Sequence, residues 1–67
     1  MQQIDTRGLS CPQPVILVNN QLKNKSAQFD ILLDSVASKE NVARLLKRHK
    51  RNFKIEETDE YTIYHVR

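Results

Sequence analysis

The chain of 67 residues has one cysteine, one glycine and no tryptophan, and these scarcities exclude several kinds of site. With Cys11 alone, neither an intrachain disulfide nor a dithiol redox cycle within one molecule is possible. A single thiol in so short a chain is typical of a reducing compartment rather than of a secreted disulfide scaffold. One cysteine and two distant histidines lack metal-ligand spacing, and no phosphate-binding loop or catalytic carboxylate pair is visible. We therefore expect no metal site and no cofactor.

The chain also lacks a long hydrophobic run. No stretch approaches the roughly 18 apolar residues that a membrane-spanning helix needs, and no apolar secretory signal precedes the first predicted strand. We therefore expect a soluble, cytoplasmic protein. The length predicts a single small domain over residues 1–67 with a stability of a few kcal/mol, and we expect a monomer.

Charge is unevenly distributed along the chain, whose formal net charge is +3. Residues 44–54 contain no acid, and their basic members are Arg44, Lys47, Arg48, Lys50, Arg51 and Lys54. One interpretation is a solvated helix surface whose cations favour the negative end of the helix dipole. The other is a patch that docks an acidic partner protein, for which we name Arg44, Lys47, Arg48 and Arg51. Direct RNA binding is less favoured, because two Phe and two Tyr are too few for a base-stacking surface.

Hydrophobic periodicity predicts the order strand, helix, strand, helix, strand, strand. Strands are expected at residues 3–5, 29–34, 53–56 and 61–66, and helices at about 12–24 and 39–50, the second capped by Ser38 with Glu40 in its first turn. Strand–helix–strand units normally form right-handed parallel crossovers. Both helices should therefore lie on one face of a four-stranded mixed sheet. The sequence predicts an α/β (α+β) two-layer sandwich.

The segment Asp5 to Pro14, which reads Asp-Thr-Arg-Gly-Leu-Ser-Cys-Pro-Gln-Pro, places Cys11 directly before a predicted helix. Pro12 suits the first helical position, because its missing N–H would have no partner there. Unpaired N–H groups and the positive end of the helix dipole favour a thiolate. The other interpretation is that Cys11 is a small buried hydrophobic residue. Gly8, the single glycine, suggests a positive φ or a close backbone approach.

The pattern Asp5-x-Arg7-Gly8-Leu9-x-Cys11-Pro12-x-Pro14, followed by Val15 and an apolar helix, resembles the signature of the TusA/SirA-like sulfur-carrier family. The predicted element order matches that family over nearly the whole chain. The start of the second helix, at residues 37–42, is more similar to the N-terminal domain of YedF-type proteins, which are associated with selenium metabolism. The connection at residues 25–28 and the terminal hairpin lack the glycines common in the family, which concerns turn geometry and not thiol chemistry.

The resemblance implies that Cys11 accepts sulfur as a persulfide from a cysteine desulfurase and passes it to a downstream acceptor protein. The chain would then be a sulfurtransferase-like carrier of sulfur, or of selenium, without turnover of its own. The alternative is a non-catalytic protein-interaction module, or a basic RNA-binding domain, in which Cys11 is structural.

Five residues of the same motif are expected to support Cys11. Arg7 is predicted to add positive potential near the thiolate while Asp5 pairs with Arg7 or orders the loop. The simpler interpretation is a local ion pair that only shapes the loop. Gly8 is expected to provide the unusual backbone conformation. Pro12 and Pro14 would stiffen the junction between loop and helix, so that the cysteine is held in place before a partner arrives.

Overall fold

The computed structural model of the chain describes residues 2–9, 13–23 and 28–67. Within these ranges six elements follow in the predicted order: β1 (Gln2–Asp5), α1 (Gln13–Leu22), β2 (Phe29–Leu33), α2 (Val36–Arg48), β3 (Phe53–Glu57) and β4 (Thr62–Val66). The predicted fold class is thereby confirmed. Cys11 and Pro12, which the sequence analysis placed at the centre of the site, lie outside the described residues.

The four strands form one mixed sheet in the order β1-β2-β4-β3. β1 runs parallel to β2, whereas β4 lies antiparallel between β2 and β3. It follows that β1, β2 and β3 point in the same direction and that their carboxyl ends meet at one edge. We call this the carboxyl edge. It consists of the loop of residues 6–9 after β1, Asp34 after β2, and residues 58–61 between β3 and β4.

Both helices cover the same face of the sheet. α1 and α2 contact each other, and their buried side chains belong to a single cluster with alternate residues of β2 and β4. The cluster forms because strand side chains alternate between faces while helix side chains repeat every three or four residues. Its members are Val18, Leu22, Phe29, Ile31, Leu33, Val42, Leu46, Tyr64 and Val66. This core fixes the position of the carboxyl edge above it.

The sheet face away from the helices carries the intervening strand residues. His65 lies here between two carboxylates, with its Nδ1 2.9 Å from Asp30 and its Nε2 2.8 Å from Glu56. The pKa of His65 is raised because its protonated ring donates hydrogen bonds to Glu56, which has the larger effect, and to Asp30. Leu32 is also on this face but is only 5% exposed. β2 is therefore largely covered on both faces of the sheet.

The start of α2 differs from the prediction. Ser35, not Ser38, is the N-cap, and its side chain accepts a hydrogen bond from the Ser38 backbone N–H at 3.1 Å. Ser38 is instead buried inside the helix, at 3% exposure. Two serines three residues apart both satisfy the local capping rule, and burial of the second one decides between them. Because the helix starts three residues earlier, Glu40 is not in its first turn.

α2 ends in a Schellman motif built without glycine. The Arg51 N–H bonds to the Leu46 carbonyl and the Lys50 N–H bonds to the Lys47 carbonyl, both at 3.0 Å. Lys50 takes the left-handed conformation at this terminus, with φ of 57°. His49 is the exposed C-cap residue.

Candidate functional site

The loop of residues 6–9 leads from β1 towards Cys11, so the contacts of this loop define what the structure describes of the site. Its first residue, Thr6, is only 1% exposed. The Thr6 backbone N–H donates to the Leu32 carbonyl at 3.0 Å, and the Thr6 hydroxyl donates to the same oxygen. The Leu9 N–H then returns to the Thr6 carbonyl at 3.2 Å, which closes a turn. The loop is therefore fastened to the central strand at its beginning.

Gly8 is the third residue of this turn and has φ of 77°. The predicted positive φ is therefore confirmed, while a close approach is not the reason for glycine, since an added Cβ would meet no heavy atom within 4 Å. The Gly8 N–H donates to Asp34 Oδ2 at 2.8 Å. Asp34 directly follows β2, so this bond joins the loop to the end of a second parallel strand.

Arg7 is held by Asp5 on one side and Tyr61 on the other. Its Nε and Nη2 donate to the two carboxylate oxygens of Asp5 at 2.9 Å each, and its backbone N–H donates to Oδ1 at 3.0 Å. These bonds, the side-chain one first, lower the pKa of Asp5 to about 2, and the same carboxylate raises the pKa of Arg7. The Arg7 guanidinium carbon lies 4.7 Å from the centroid of the Tyr61 ring. A cation in this position is attracted to the face of the aromatic ring. This contact connects the loop to the residue directly before β4.

Pro14 marks the other side of the undescribed segment. It is the second residue of α1 and is fully buried. A proline is tolerated here because the first helical N–H groups have no intrahelical acceptor. Of the two prolines in the motif, Pro14 therefore packs into the fold, while the place of Pro12 is outside the described residues. The chain that carries Cys11 starts and ends at anchored positions.

An open cavity of about 180 Å³ lies next to the loop at the carboxyl edge. Asp34, which binds the Gly8 N–H, is one of its walls, and Tyr61, which contacts Arg7, is another. The remaining charged residues around it are mainly acidic: Lys39, Glu57, Asp59 and Glu60. The cavity beside the loop is therefore lined by four carboxylates and one lysine, which gives it a negative charge.

The basic patch named from the sequence is divided by the structure. Arg44, Lys47 and Arg48 are exposed on the second half of α2. Arg44 and Lys47 line a shallow groove with Glu40 and Ala43. Arg51 is half-buried, and its guanidinium carbon lies 5.9 Å from the centroid of the Phe29 ring. The three helical cations therefore share a surface, whereas Arg51 turns towards the core.

Three residues of the site are missed by the sequence analysis: Thr6, Asp34 and Tyr61. Each takes part in a contact between residues that are far apart along the chain, as with Gly8 and Asp34, which are 26 positions apart. For Asp34 a signal did exist, because a residue after one parallel strand lies beside the residues after its neighbour. Thr6 and Tyr61 have no comparable local signal.

The described part of the chain shows neither a metal centre nor a membrane-spanning element. Residues 2–9, 13–23 and 28–67 contain no group of three or more His, Cys, Asp and Glu side chains arranged to hold a metal ion. No helix within them has the length and apolar character that crossing a membrane requires.

Comparison with known proteins adds a family to this geometry. Neither the search of curated proteins nor the search of solved structures gave a match. The family model described as Sulfurtransferase TusA matches residues 2–67, and so includes every element of the sheet, both helices and the cysteine motif. A general role in sulfur transfer follows from such a match. The chain therefore belongs to the TusA sulfurtransferase family.

Proposed function

We propose that the chain relays sulfur as a persulfide on Cys11, from a cysteine desulfurase to an acceptor protein. One observation carries this proposal. The match to the sulfurtransferase family extends over residues 2–67, and within that span Cys11 is the single cysteine. If the chemistry of the family uses a cysteine sulfur in this chain, Cys11 is the residue that can supply it, because the sequence has one cysteine.

The transfer step requires a thiolate. The Cys11 thiolate attacks the outer sulfur of a donor persulfide, a new S–S bond forms, and the donor's own S–S bond breaks to release the donor as a thiolate. Cys11 then carries the outer sulfur and its proton, so atoms and charge balance. In the second step the thiolate of the acceptor attacks the outer sulfur of the Cys11 persulfide, and Cys11 is released as a thiolate. A second cysteine nearby could attack the inner sulfur of the persulfide, form an intrachain disulfide and release the outer sulfur as hydrogen sulfide. The chain has no second cysteine.

Asp5, Arg7, Gly8 and Pro14 are proposed as positioning residues for Cys11. Asp5 binds Arg7, Arg7 also contacts Tyr61, and Gly8 binds Asp34, so the loop before the cysteine has contacts at the end of β2 and at the start of β4. Pro14 anchors the helix after it. Because transfer needs two sulfur atoms brought into line, a cysteine on a fixed loop loses less conformational entropy when a partner binds. Pro12 has the same proposed role on the strength of the motif.

The exposed cations Arg44, Lys47 and Arg48 are proposed to dock an acidic surface of the donor or acceptor. Their position in the last turns of α2 also complements the helix dipole, so charge alone does not require a partner. Replacing all three by Gln should raise the KM for sulfur uptake from the docked partner and leave kcat unchanged. A variant with both parameters unchanged would assign these residues to the helix dipole alone.

Sulfur is proposed as the cargo in preference to selenium. The likeness to YedF-type proteins concerns helix residues 37–42, and no contact in the described residues distinguishes sulfur from selenium.

We further propose that residues 1–67 act as one domain and that the protein works in the cytoplasm, where a single thiol stays reduced.

The experiment is intact-protein mass spectrometry after incubation with a cysteine desulfurase, pyridoxal phosphate and free cysteine. Wild-type protein should gain the mass of one sulfur atom, and a reductant should remove it. Cys11→Ser should gain nothing. A matched control, Cys11→Ser with Lys23→Cys, keeps one thiol at the exposed residue after α1 and should also gain little. Equal gain by that control would show reactivity of any exposed thiol, and no gain by wild type, with a thiol that alkylates readily, would favour the interaction module.

A further inference from the structure

The outer edge of β3 is an unpaired strand edge. β3 is the last strand of the sheet and, among the described strands, pairs with β4 alone. Ile55, its central residue, is 58% exposed on the helix side of the sheet. Exposed strand edges of this kind pair readily with another strand, and proteins commonly protect them. An exposed isoleucine in the middle of such an edge does the opposite of protecting it.

The direction of the free backbone groups follows from the pairing with β4. Backbone bonds join Asn52 to Arg67 and Thr58 to Tyr61, one at each end of the β3–β4 ladder. In an antiparallel pair, hydrogen-bonded and non-hydrogen-bonded positions alternate. The even residues between these two bonds therefore bond to β4. Phe53, Ile55 and Glu57 direct their N–H and C=O groups outwards.

The order of side chains along β3 is complementary to itself. If a second β3 pairs antiparallel with Ile55 opposite Ile55 of the other copy, Lys54 lies opposite Glu56 and Glu56 lies opposite Lys54. Both side chains are exposed and point to the same face, away from the helices. They occupy a non-hydrogen-bonded pair, where opposing Cα atoms are only about 4.5 Å apart. Two ion pairs and an Ile55–Ile55 contact would therefore form about one two-fold axis.

The backbone and side-chain requirements agree with each other. The same register makes Ile55 opposite Ile55 a hydrogen-bonded pair, and the outward N–H and C=O groups are those of the odd residues. Glu56 can serve both neighbours, because His65 binds only its Oε1 and its side chain is 58% exposed. The other edge strand, β1, offers no such match. With Ile4 on the axis, Gln3 would face Asp5, and Asp5 is already bound by Arg7.

We propose that two copies of this chain pair through β3, antiparallel and centred on Ile55, to form a continuous eight-stranded sheet. The occupant of the edge is thus a second copy of the same chain and not an unrelated partner. This inference is independent of the proposed sulfur chemistry. It replaces the expectation of a monomer with a self-association set by concentration.

Sedimentation velocity in reductant, over a concentration series from micromolar to millimolar, tests the pairing. Wild type should shift from monomer to dimer mass along the series. Lys54→Glu places like charges opposite each other twice and should raise the dissociation constant of the dimer about tenfold. The double variant Lys54→Glu with Glu56→Lys restores opposite charges and should recover most of the loss. Lys23→Glu makes the same charge change at the exposed residue after α1 and should leave association unchanged.

A disulfide trap tests the register without relying on those variants. In a Cys11→Ser background, Ile55→Cys should form a cross-linked dimer on mild oxidation, because opposing Cα atoms of a hydrogen-bonded pair lie about 5.5 Å apart, within disulfide range. Lys47→Cys, on exposed α2, should cross-link far less. A monomer mass throughout the series, or equal cross-linking of the two cysteines, would overturn the proposal.

Discussion

Replacing Gly8 by alanine should reduce stability through the backbone alone. Gly8 has φ of 77°, and a Cβ added there would meet no heavy atom within 4 Å. The left-handed conformation costs an ordinary residue roughly 1–2 kcal/mol. Loss of the glycine's freedom in the unfolded chain offsets roughly 0.4–1 kcal/mol of this. The net expectation is a decrease of about 1 kcal/mol in the free energy of unfolding.

A series at this position separates backbone strain from loss of contacts. Asparagine tolerates the left-handed region better than alanine, and β-branched valine tolerates it worst. The expected order of stability is therefore wild type, Gly8→Asn, Gly8→Ala and Gly8→Val. In a domain of this size 1 kcal/mol corresponds to a change in Tm of roughly 4–8 °C. Urea and thermal unfolding followed by far-ultraviolet circular dichroism would resolve such differences.

Two outcomes would refute this reasoning. If Gly8→Ala were as stable as wild type, the positive φ would not persist in solution. If Gly8→Asn were less stable than Gly8→Ala, the cost would come from the space around the Cβ and not from the backbone. The Gly8 N–H remains available to Asp34 in every variant, so loss of that bond cannot explain the order.

Three further changes test other parts of the structure. Lys50→Gly should raise the free energy of unfolding by about 1 kcal/mol, because Lys50 has φ of 57° at the end of α2. An Arg48→Gly control inside the helix should lower the free energy of unfolding, and a lower value for both variants would contradict the motif. Thr6→Val should cost about 1 kcal/mol in urea unfolding, since the buried hydroxyl bond is lost while the Leu32 carbonyl keeps the Thr6 N–H at 3.0 Å; no loss would mean that the hydroxyl bond contributes nothing. The pKa of His65 is raised above 6.5 in the folded state, so the stability that its protonated ring contributes is complete below pH 6.5 and is lost as pH rises through the folded pKa. The stability advantage of wild type over His65→Gln should therefore shrink between pH 6 and pH 9, and an advantage that grows would reverse the assigned direction.

The fold could be predicted because local patterns and chain connectivity agree. The apolar run of β2 and the alternation in β3 and β4 determine strands, and two short crossovers leave few ways to arrange four of them. The start of α2 was predicted wrongly, since Ser35 and Ser38 are equivalent by local rules and only packing distinguishes them. In α1 the buried side chains are Pro14, Val18 and Leu22, which repeat every four residues, and Ile16 and Leu17 are left 50% and 37% exposed.

The candidate site was predicted only as far as its residues are close in sequence. The ion pair between Asp5 and Arg7 and the positive φ of Gly8 follow from neighbours within the motif. The bond from Gly8 to Asp34 and the contact of Arg7 with Tyr61 depend on which strands are adjacent. No pattern within a short window contains that information. A reader of the sequence would need the order of the strands before these partners could be named.

The most direct test of the central claim is to locate transferred sulfur within the chain. Wild-type protein is incubated with a cysteine desulfurase and cysteine, alkylated under non-reducing conditions, digested, and fragmented in the mass spectrometer. The proposal predicts one additional sulfur on the peptide that contains Cys11, and none in Cys11→Ser or in Cys11→Ser with Lys23→Cys. A chain that stays free of sulfur while the desulfurase releases it, or that gains it equally at the relocated thiol, would contradict the assignment of Cys11 as the carrier.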